Sequence, residues 1–372
     1  MRKQHEKFRI EEVKYITERW VASEAISMIG VGSIGKSNLL QHLTQTESYR
    51  KIFGLEENPY FAIIIDPFML GPLPSANENS TQFICWAGLE LIMHRIYMTF
   101  FSSEILNEED AKYLNGLYNM LQDGNNPLAL YMGLRYLELT LKLLISYDIK
   151  IILLFDEFEE FLRLMPYRFF QILRGLRDTF KGNLIYSTFS RNTFKILIAE
   201  HNLDYYEVEP FIELFTDNVL YVGPYNDYDA RLMLDRLSRR NRNLKYTPQD
   251  HNLILYVTGR FAGLIRATYK TLDEVYNSRN ITSDDVLQVV NYLTIKPQIQ
   301  AECKTIWLSL SEIEKDILMA VARLSEYRDS NEHEDAIRIL IRKQLLIFND
   351  NKLEIVPPIF QQYVYSDPKT LS

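Results

Sequence analysis

The sequence predicts an α/β protein. A five-stranded, mostly parallel sheet is covered by helices, then comes an all-α segment, and a short helix-and-hairpin module closes the chain. Three observations carry this. Short apolar runs alternate with segments of helical period up to residue 223, which is the pattern of a parallel sheet buried on both faces. The first apolar run passes through a glycine-rich turn straight into a helix. After Pro224 the β pattern stops, and helical period alone remains until residue 346.

In chain order, Phe8 to Trp20 has Phe8, Ile10, Val13, Ile16 and Trp20 at helical spacing, which predicts an amphipathic helix. Ala25–Val31 is a strand, and Lys36–Leu43 the helix after the glycine turn. Phe61–Ile65 is a second strand. Residues 78–147 then read as a helical insertion, with helices at Thr81–Tyr97, Glu108–Leu121 and Leu128–Ser146. Its aromatics Phe83, Trp86, Tyr97, Phe100 and Phe101 read mostly as core. Further strands are Lys150–Phe155, Leu184–Thr188 and Val219–Val222. Beyond Pro224, helices are expected at 226–240, 248–258, 261–278 and 282–293. Pro297 marks a break. The tail reads as helices at 311–324 and 332–345, then strands Leu346–Phe348 and Leu353–Val356 around an Asn349-Asp350-Asn351 turn, a winged-helix pattern. No internal repeat is visible.

The 372 residues exceed one small domain at about 150 residues each. The boundaries expected are 1–223, 224–295 and 296–372. With 47% hydrophobic and 24% charged residues, disordered and collagen-like chains are excluded. Cys85 and Cys303 stand alone, which argues against a disulfide scaffold or a zinc site. The N-terminus lacks the apolar core of a signal peptide, and no apolar run reaches the ~18 residues of a membrane span. A cytoplasmic protein with no membrane partner is expected. The net charge of −8 argues against bulk electrostatic binding of nucleic acid. The acidity is uneven: residues 1–223 carry 21 basic against 29 acidic side chains, and residues 224–295 carry 10 against 8.

The strongest chemical signal is Gly30, Val31, Gly32, Ser33, Ile34, Gly35, Lys36, Ser37, followed by Asn38. Backbone N–H groups of such a loop wrap phosphates, and the helix N-terminus adds a favourable dipole. Lys36 reaches the β- and γ-phosphates, and Ser37 ligates Mg²⁺. The plain alternative is a glycine turn joining strand to helix. The second signal is an apolar strand running into Asp156 and Glu157. An acid at the carboxyl edge of a parallel strand faces the ligand crevice, so Asp156 suits the metal and Glu157 suits polarising a water as general base. Acids also cap helices, which is the plain reading of this pair. Glu159 and Glu160 read as a solvated helix face. No Ser-His-Asp or zinc constellation stands out.

These motifs together resemble the AAA+ and STAND branch of P-loop ATPases, closest to prokaryotic STAND-type and origin-recognition-like members with a helical lid and a winged helix. The resemblance implies a slow, Mg²⁺-dependent ATPase. Lys7-Phe8-Arg9 is similar to the segment near the base and ribose, which makes Phe8 and Arg9 candidate nucleotide contacts. Phe169–Arg177 resembles the helix before the sensor strand. Thr188 or Ser190 then takes the place of the sensor that aligns the water, and Arg191 that of an arginine reading the γ-phosphate. Val222–Ala230 is similar to the approach to the lid. Thr258-Gly259-Arg260-Phe261-Ala262-Gly263-Leu264-Ile265-Arg266 resembles a lid motif that places Arg266 as a second sensor. It departs from that motif in lacking the proline, and Gly259 and Gly263 can equally end one helix and begin the next.

Two basic clusters bear on DNA: Arg236, Arg239, Arg240, Arg242 and Lys245, and then Arg338, Arg342 and Lys343 on the helix before the wing. Such a helix reads duplex DNA in some winged helices and packs on protein in others. Glu332, Glu334 and Asp335 at its start favour packing. The partners the resemblance implies are ATP or ADP, a protein effector or sensor in trans and a possible second copy of the chain. Duplex DNA through the winged helix is the alternative.

Overall fold

The computed structural model describes residues 4–45, 47–50, 53, 60–71, 80–101, 103–122, 129–241, 243, 246–279, 285–323, 331–350 and 352–366. Arg242, Lys245, the starts of the helices expected at Leu128 and at 282, and Asn351 lie outside the described residues.

The first part of the chain runs α1 (Ile10–Val21), β1 (Ile26–Ile29), α2 (Lys36–Leu43), α3 (Glu47–Arg50), β2 (Tyr60–Ile65), α4 (Ser80–Phe100), α5 (Glu108–Gln122), α6 (Ala129–Ile145) and β3 (Lys150–Phe155). It continues through α7 (Phe158–Leu164), α8 (Tyr167–Thr179), β4 (Leu184–Ser190), α9 (Phe194–Glu200), α10 (Tyr205–Ile212) and β5 (Val219–Tyr221). The sheet has five strands in the order β2-β3-β4-β1-β5. β2 and β3 are parallel from Tyr60 opposite Lys150 to Ile65 opposite Phe155. β3 and β4 are parallel from Ile151 opposite Leu184 to Phe155 opposite Thr188. Ile151 to Phe155 are all buried, as an apolar run without alternation requires when both faces are covered.

By its contacts the chain divides into two compact units: Met1–Met28 with Leu40–Leu220, and Ile29–Leu39 with Tyr221–Ser372. In the first, an aromatic core surrounds the end of β3. Phe155 meets Phe161 edge-on at 5.4 Å and Tyr186 at 5.8 Å. The insertion is the three helices α4, α5 and α6, packed on one another and, through α4, on β2. Tyr97 stacks on Tyr118 at 4.3 Å. Helix α1 is tied to the sheet by Trp20, whose indole N–H donates to Ser187 Oγ at 2.9 Å, with both residues buried. Trp20→Phe removes that donor and leaves a buried hydroxyl unmatched, so a stability loss of about 1–3 kcal/mol is expected in urea titration.

The second unit comprises the loop after β1 together with α11 (Asp227–Arg240), α12 (Pro248–Thr258), α13 (Ala262–Arg279), α14 (Val286–Thr294), α15 (Pro297–Leu308), α16 (Glu312–Ala322), α17 (Asn331–Arg342), β6 (Leu346–Asn349), β7 (Lys352–Ile355) and α18 (Pro358–Tyr365). Reciprocal caps open α12 (Thr247 with Asp250) and α16 (Ser311 with Glu314), which satisfies orphan N–H groups. Gly259, at φ 53°, ends α12 in the left-handed region. The hairpin pairs Leu346 with Ile355 and Asn349 with Lys352, antiparallel.

Helices α3, α9 and α10 of the first unit were not expected. Neither were α15 and α18 of the second, each of which has a proline at its first turn. Pro297 was read as a break, but proline is well suited to the first helical position, where its missing N–H costs nothing.

The basic cluster on α17 is not one face. Lys343, expected beside Arg338 and Arg342, has a fully buried side chain that donates to both carboxylate oxygens of Glu314, at 2.7 and 2.9 Å. One residue advances a helix by about 100°, and that turns Lys343 from the solvent to the core. Arg342 lies over the Tyr221 ring at 5.4 Å. Arg338 is exposed and paired with Glu334 at 3.2 Å.

Candidate nucleotide-binding site

β1 ends at Ile29, and residues 30–37 turn into α2. Buried Val31 and Ile34 anchor the turn, while Lys36 is half-buried and Ser37 exposed. Ser33 (φ 67°) and Gly35 (φ 88°) are left-handed, a backbone that turns successive N–H groups toward one concavity, as anion-binding nests do. The Gly35 carbonyl accepts from Asn38 N–H at 3.0 Å and starts the helix. Gly35 is needed twice over: a Cβ there would also lie 2.7 Å from the Tyr225 hydroxyl. Buried Tyr225 is held in place by Asn38, whose side-chain amide donates to its oxygen at 2.7 Å.

Elements that the motif gave no reason to expect crowd the same loop. Gly32 N–H donates to Ser309 Oγ at 3.2 Å, and a Cβ at Gly32 would collide with the Thr305 backbone. Ser33 Oγ donates to Glu302 Oε2. The Ser33 carbonyl accepts from Gly263 N–H at 2.8 Å. Helix α15 and the start of α13 therefore sit directly on the first half of the loop. Glu302, Thr305 and Ser309 carried no local signal in the sequence, because they meet the loop from far along the chain, Glu302 across 269 residues and Ser309 across 277.

In the other unit, β3 runs into the two acids. Asp156 Oδ1 accepts from the Glu157 N–H at 2.8 Å. Glu157 is left-handed (φ 42°) and precedes α7. Arg191 brings its guanidinium to Glu157 Oε2 at 3.1 Å and to Glu159 Oε1 at 3.2 Å. Glu159 corrects the expectation of a solvated face: it is buried, because α7 turns it inward onto Arg191. Glu160, by contrast, is half-exposed and pairs with Arg163 at 2.6 Å. Of the two hydroxyls proposed on β4, Ser190 Oγ is committed to the Asn192 carbonyl at 2.8 Å. Buried Thr188 has no hydrogen-bond partner for its hydroxyl among the described residues.

Three further candidates are placed as follows. Phe8 is buried edge-on against His42 at 5.5 Å. Arg9 is left-handed (φ 49°), wholly buried, and pairs with Glu12 at 2.6 Å. Arg266 is exposed on α13, with no hydrogen bond or ion pair among the described residues.

The residues fit the ligands expected. The loop is a glycine-lined nest at a helix N-terminus, suited to phosphate. Within its own unit, each of Ser37 and Asp156 carries a hard oxygen. Magnesium bound with a nucleotide takes only one or two carboxylate or hydroxyl ligands from the protein. Among the described residues no group of three or more His, Cys, Asp or Glu could hold a metal alone. Both cysteines are free and buried. Burial pushes the Cys85 thiol up to about 11 and Cys303 also upward, so neither is a thiolate nucleophile at neutral pH. No described helix is long and apolar enough to cross a membrane.

No protein-family model matches the sequence, and no curated protein sequence matches it. Solved structures do. The ORC2 protein of Aeropyrum pernix in its ADPNP-ADP complexes superposes with a TM-score of 0.50 at 13% identity, over 97% of this chain and 94% of that one. Its ADP form gives 0.50 at 12%, over 100% and 96%. A Walker-type ATPase of Pyrococcus abyssi gives 0.49 at 16%, over 95% of each. The likeness to ORC2 shows the fold: a P-loop α/β domain followed by a helical region.

Proposed function

We propose that this chain is a Mg²⁺-dependent ATPase of the AAA+/STAND type that turns over slowly and serves as a nucleotide-dependent switch for a protein partner. The observation that carries this is the seating of α15 on the phosphate loop within one compact unit. A group arriving on Gly32 and Ser33 has to meet α15, so nucleotide state and helix position are linked. A ligand shifts a conformational equilibrium only through such differential contact.

The roles follow from chemistry. The backbone of residues 30–37 and Lys36 hold the phosphates. Ser37 and Asp156 offer oxygens to Mg²⁺, which when bound neutralises phosphate charge. Glu157 orients the attacking water and accepts its proton. Thr188, whose hydroxyl has no partner among the described residues, positions that water. Arg266, exposed and without a partner among the described residues, is the lid cation that reads the terminal phosphate. Arg191 is paired with Glu157 and Glu159, which supports a role in holding the base rather than the phosphate. Solved ORC2 structures of the same fold are described as ADPNP-ADP and ADP forms, which supports an adenine nucleotide here.

Lys36→Ala is expected to abolish ATP binding in calorimetry while leaving the circular dichroism unchanged. Unaltered affinity would remove the site assignment. A second reading, a duplex-DNA-binding ATPase, draws on Arg239 and Arg240, exposed in the last turn of α11. Steady-state hydrolysis with and without mixed-sequence duplex at low salt separates the two. Strong, salt-sensitive stimulation would put DNA first, and indifference leaves the protein-partnered switch.

A further inference from the structure

We infer that Glu302 is an internal anion of the phosphate loop, and that its carboxylate makes the loop discriminate against a nucleoside triphosphate in favour of the diphosphate. This rests on residues 30–37 being the nucleotide loop. The loop is built to attract negative charge through inward N–H groups and a helix N-terminus. The structure supplies a negative group of its own to it: Ser33 Oγ donates to Glu302 Oε2.

The contact is fitted rather than incidental. Gly263, at the start of α13, lies under both partners. A Cβ there would overlap Glu302 Oε2 and Ser33 Oγ together, while the Gly263 N–H holds the Ser33 carbonyl at 2.8 Å. One turn further along α15, Thr305 packs on Gly32, and Ser309 beyond it accepts the Gly32 N–H at 3.2 Å. Among the described residues Glu302 has no cationic partner.

A phosphate arriving on the loop meets this half-buried carboxylate. Like charges a few ångström apart at a partly buried site weaken binding by about tenfold or more. ATP carries one more negative charge than ADP and reaches one phosphate further, so it bears the larger penalty. Relief of that repulsion, by movement of α15, would let the triphosphate bind fully.

The test is calorimetric titration of ATP and ADP into the full chain, as parent, Glu302→Gln and Glu302→Ala. Gln keeps the length and can still accept from Ser33 Oγ, so the fold is retained and only the charge is lost. ATP affinity is expected to rise about tenfold and ADP affinity about threefold or less, so the ratio between them shifts. Ala, which also removes the side-chain length, moves the ratio the same way if the Gln chain proves unstable. An unchanged ratio in folded variants overturns the inference, as does equal tightening of both nucleotides. A parent chain that binds neither nucleotide refutes the loop assignment itself. That failure is told apart because Lys36→Ala then changes nothing either.

Discussion

Glu157→Gln is expected to bind ATP as tightly as the parent and to lose turnover by about 10²–10⁴-fold, the usual worth of a general base. Gln matches Glu in size, so the left-handed corner at residue 157 and the start of α7 are undisturbed. Arg191 keeps Glu159 at 3.2 Å when the second carboxylate is neutralised, so the guanidinium stays anchored. What is removed is one negative oxygen able to accept a proton. Catalysis of phosphoryl transfer is otherwise positioning and charge neutralisation, and those parts remain, which is why binding persists. Single-turnover hydrolysis alongside calorimetric ATP affinity measures both quantities. Near-parental hydrolysis would move the base elsewhere, and joint loss of binding and turnover would make Glu157 a structural residue.

Much of this architecture is legible because its signals are local. The strand before the loop, the glycine turn and the helix after it are consecutive, within residues 26–43, and β3 is an uninterrupted apolar run that ends in acid. The end of α12 at Gly259 is a helix stop whose chemistry sits in one residue. What stayed hidden is non-local. Glu302 meets Ser33 across 269 residues, and nothing in either neighbourhood points to the other. Helix α15 was missed because Pro297 reads equally as a break or as a first helical residue. The inward turn of Glu159 could have been guessed from its spacing to Phe158 and Leu162, both buried, but acidic side chains are so commonly solvated that pattern alone favours the surface.

Lys343 separates the two readings of the C-terminal module most sharply. Its ammonium and the Glu314 carboxylate are both fully shielded from solvent. Glu314 also accepts from Ser311 N–H at 2.8 Å and Ser311 Oγ at 3.1 Å, closing the cap of α16. The pair joins the end of α17 to the start of α16. Removing one member of a buried pair leaves the other charge uncompensated, so Lys343→Met is expected to cost about 3–5 kcal/mol. Replacing both partners, Lys343→Met with Glu314→Leu, should recover part of that loss, since well-packed apolar substitutes for a buried pair are often neutral. The recovery is incomplete because the cap of α16 goes too, worth about 1 kcal/mol. Hydrogen exchange on the full chain would localise the loss to residues 311–345. A lysine that touched DNA phosphate would behave in the opposite way: its loss would weaken binding uniformly and lower the salt slope by about one, with stability intact. A Lys343→Met chain as stable as the parent would return this residue to the surface and the module to nucleic acid. The expected destabilisation leaves α17 without a continuous basic face and favours protein packing as the module's role.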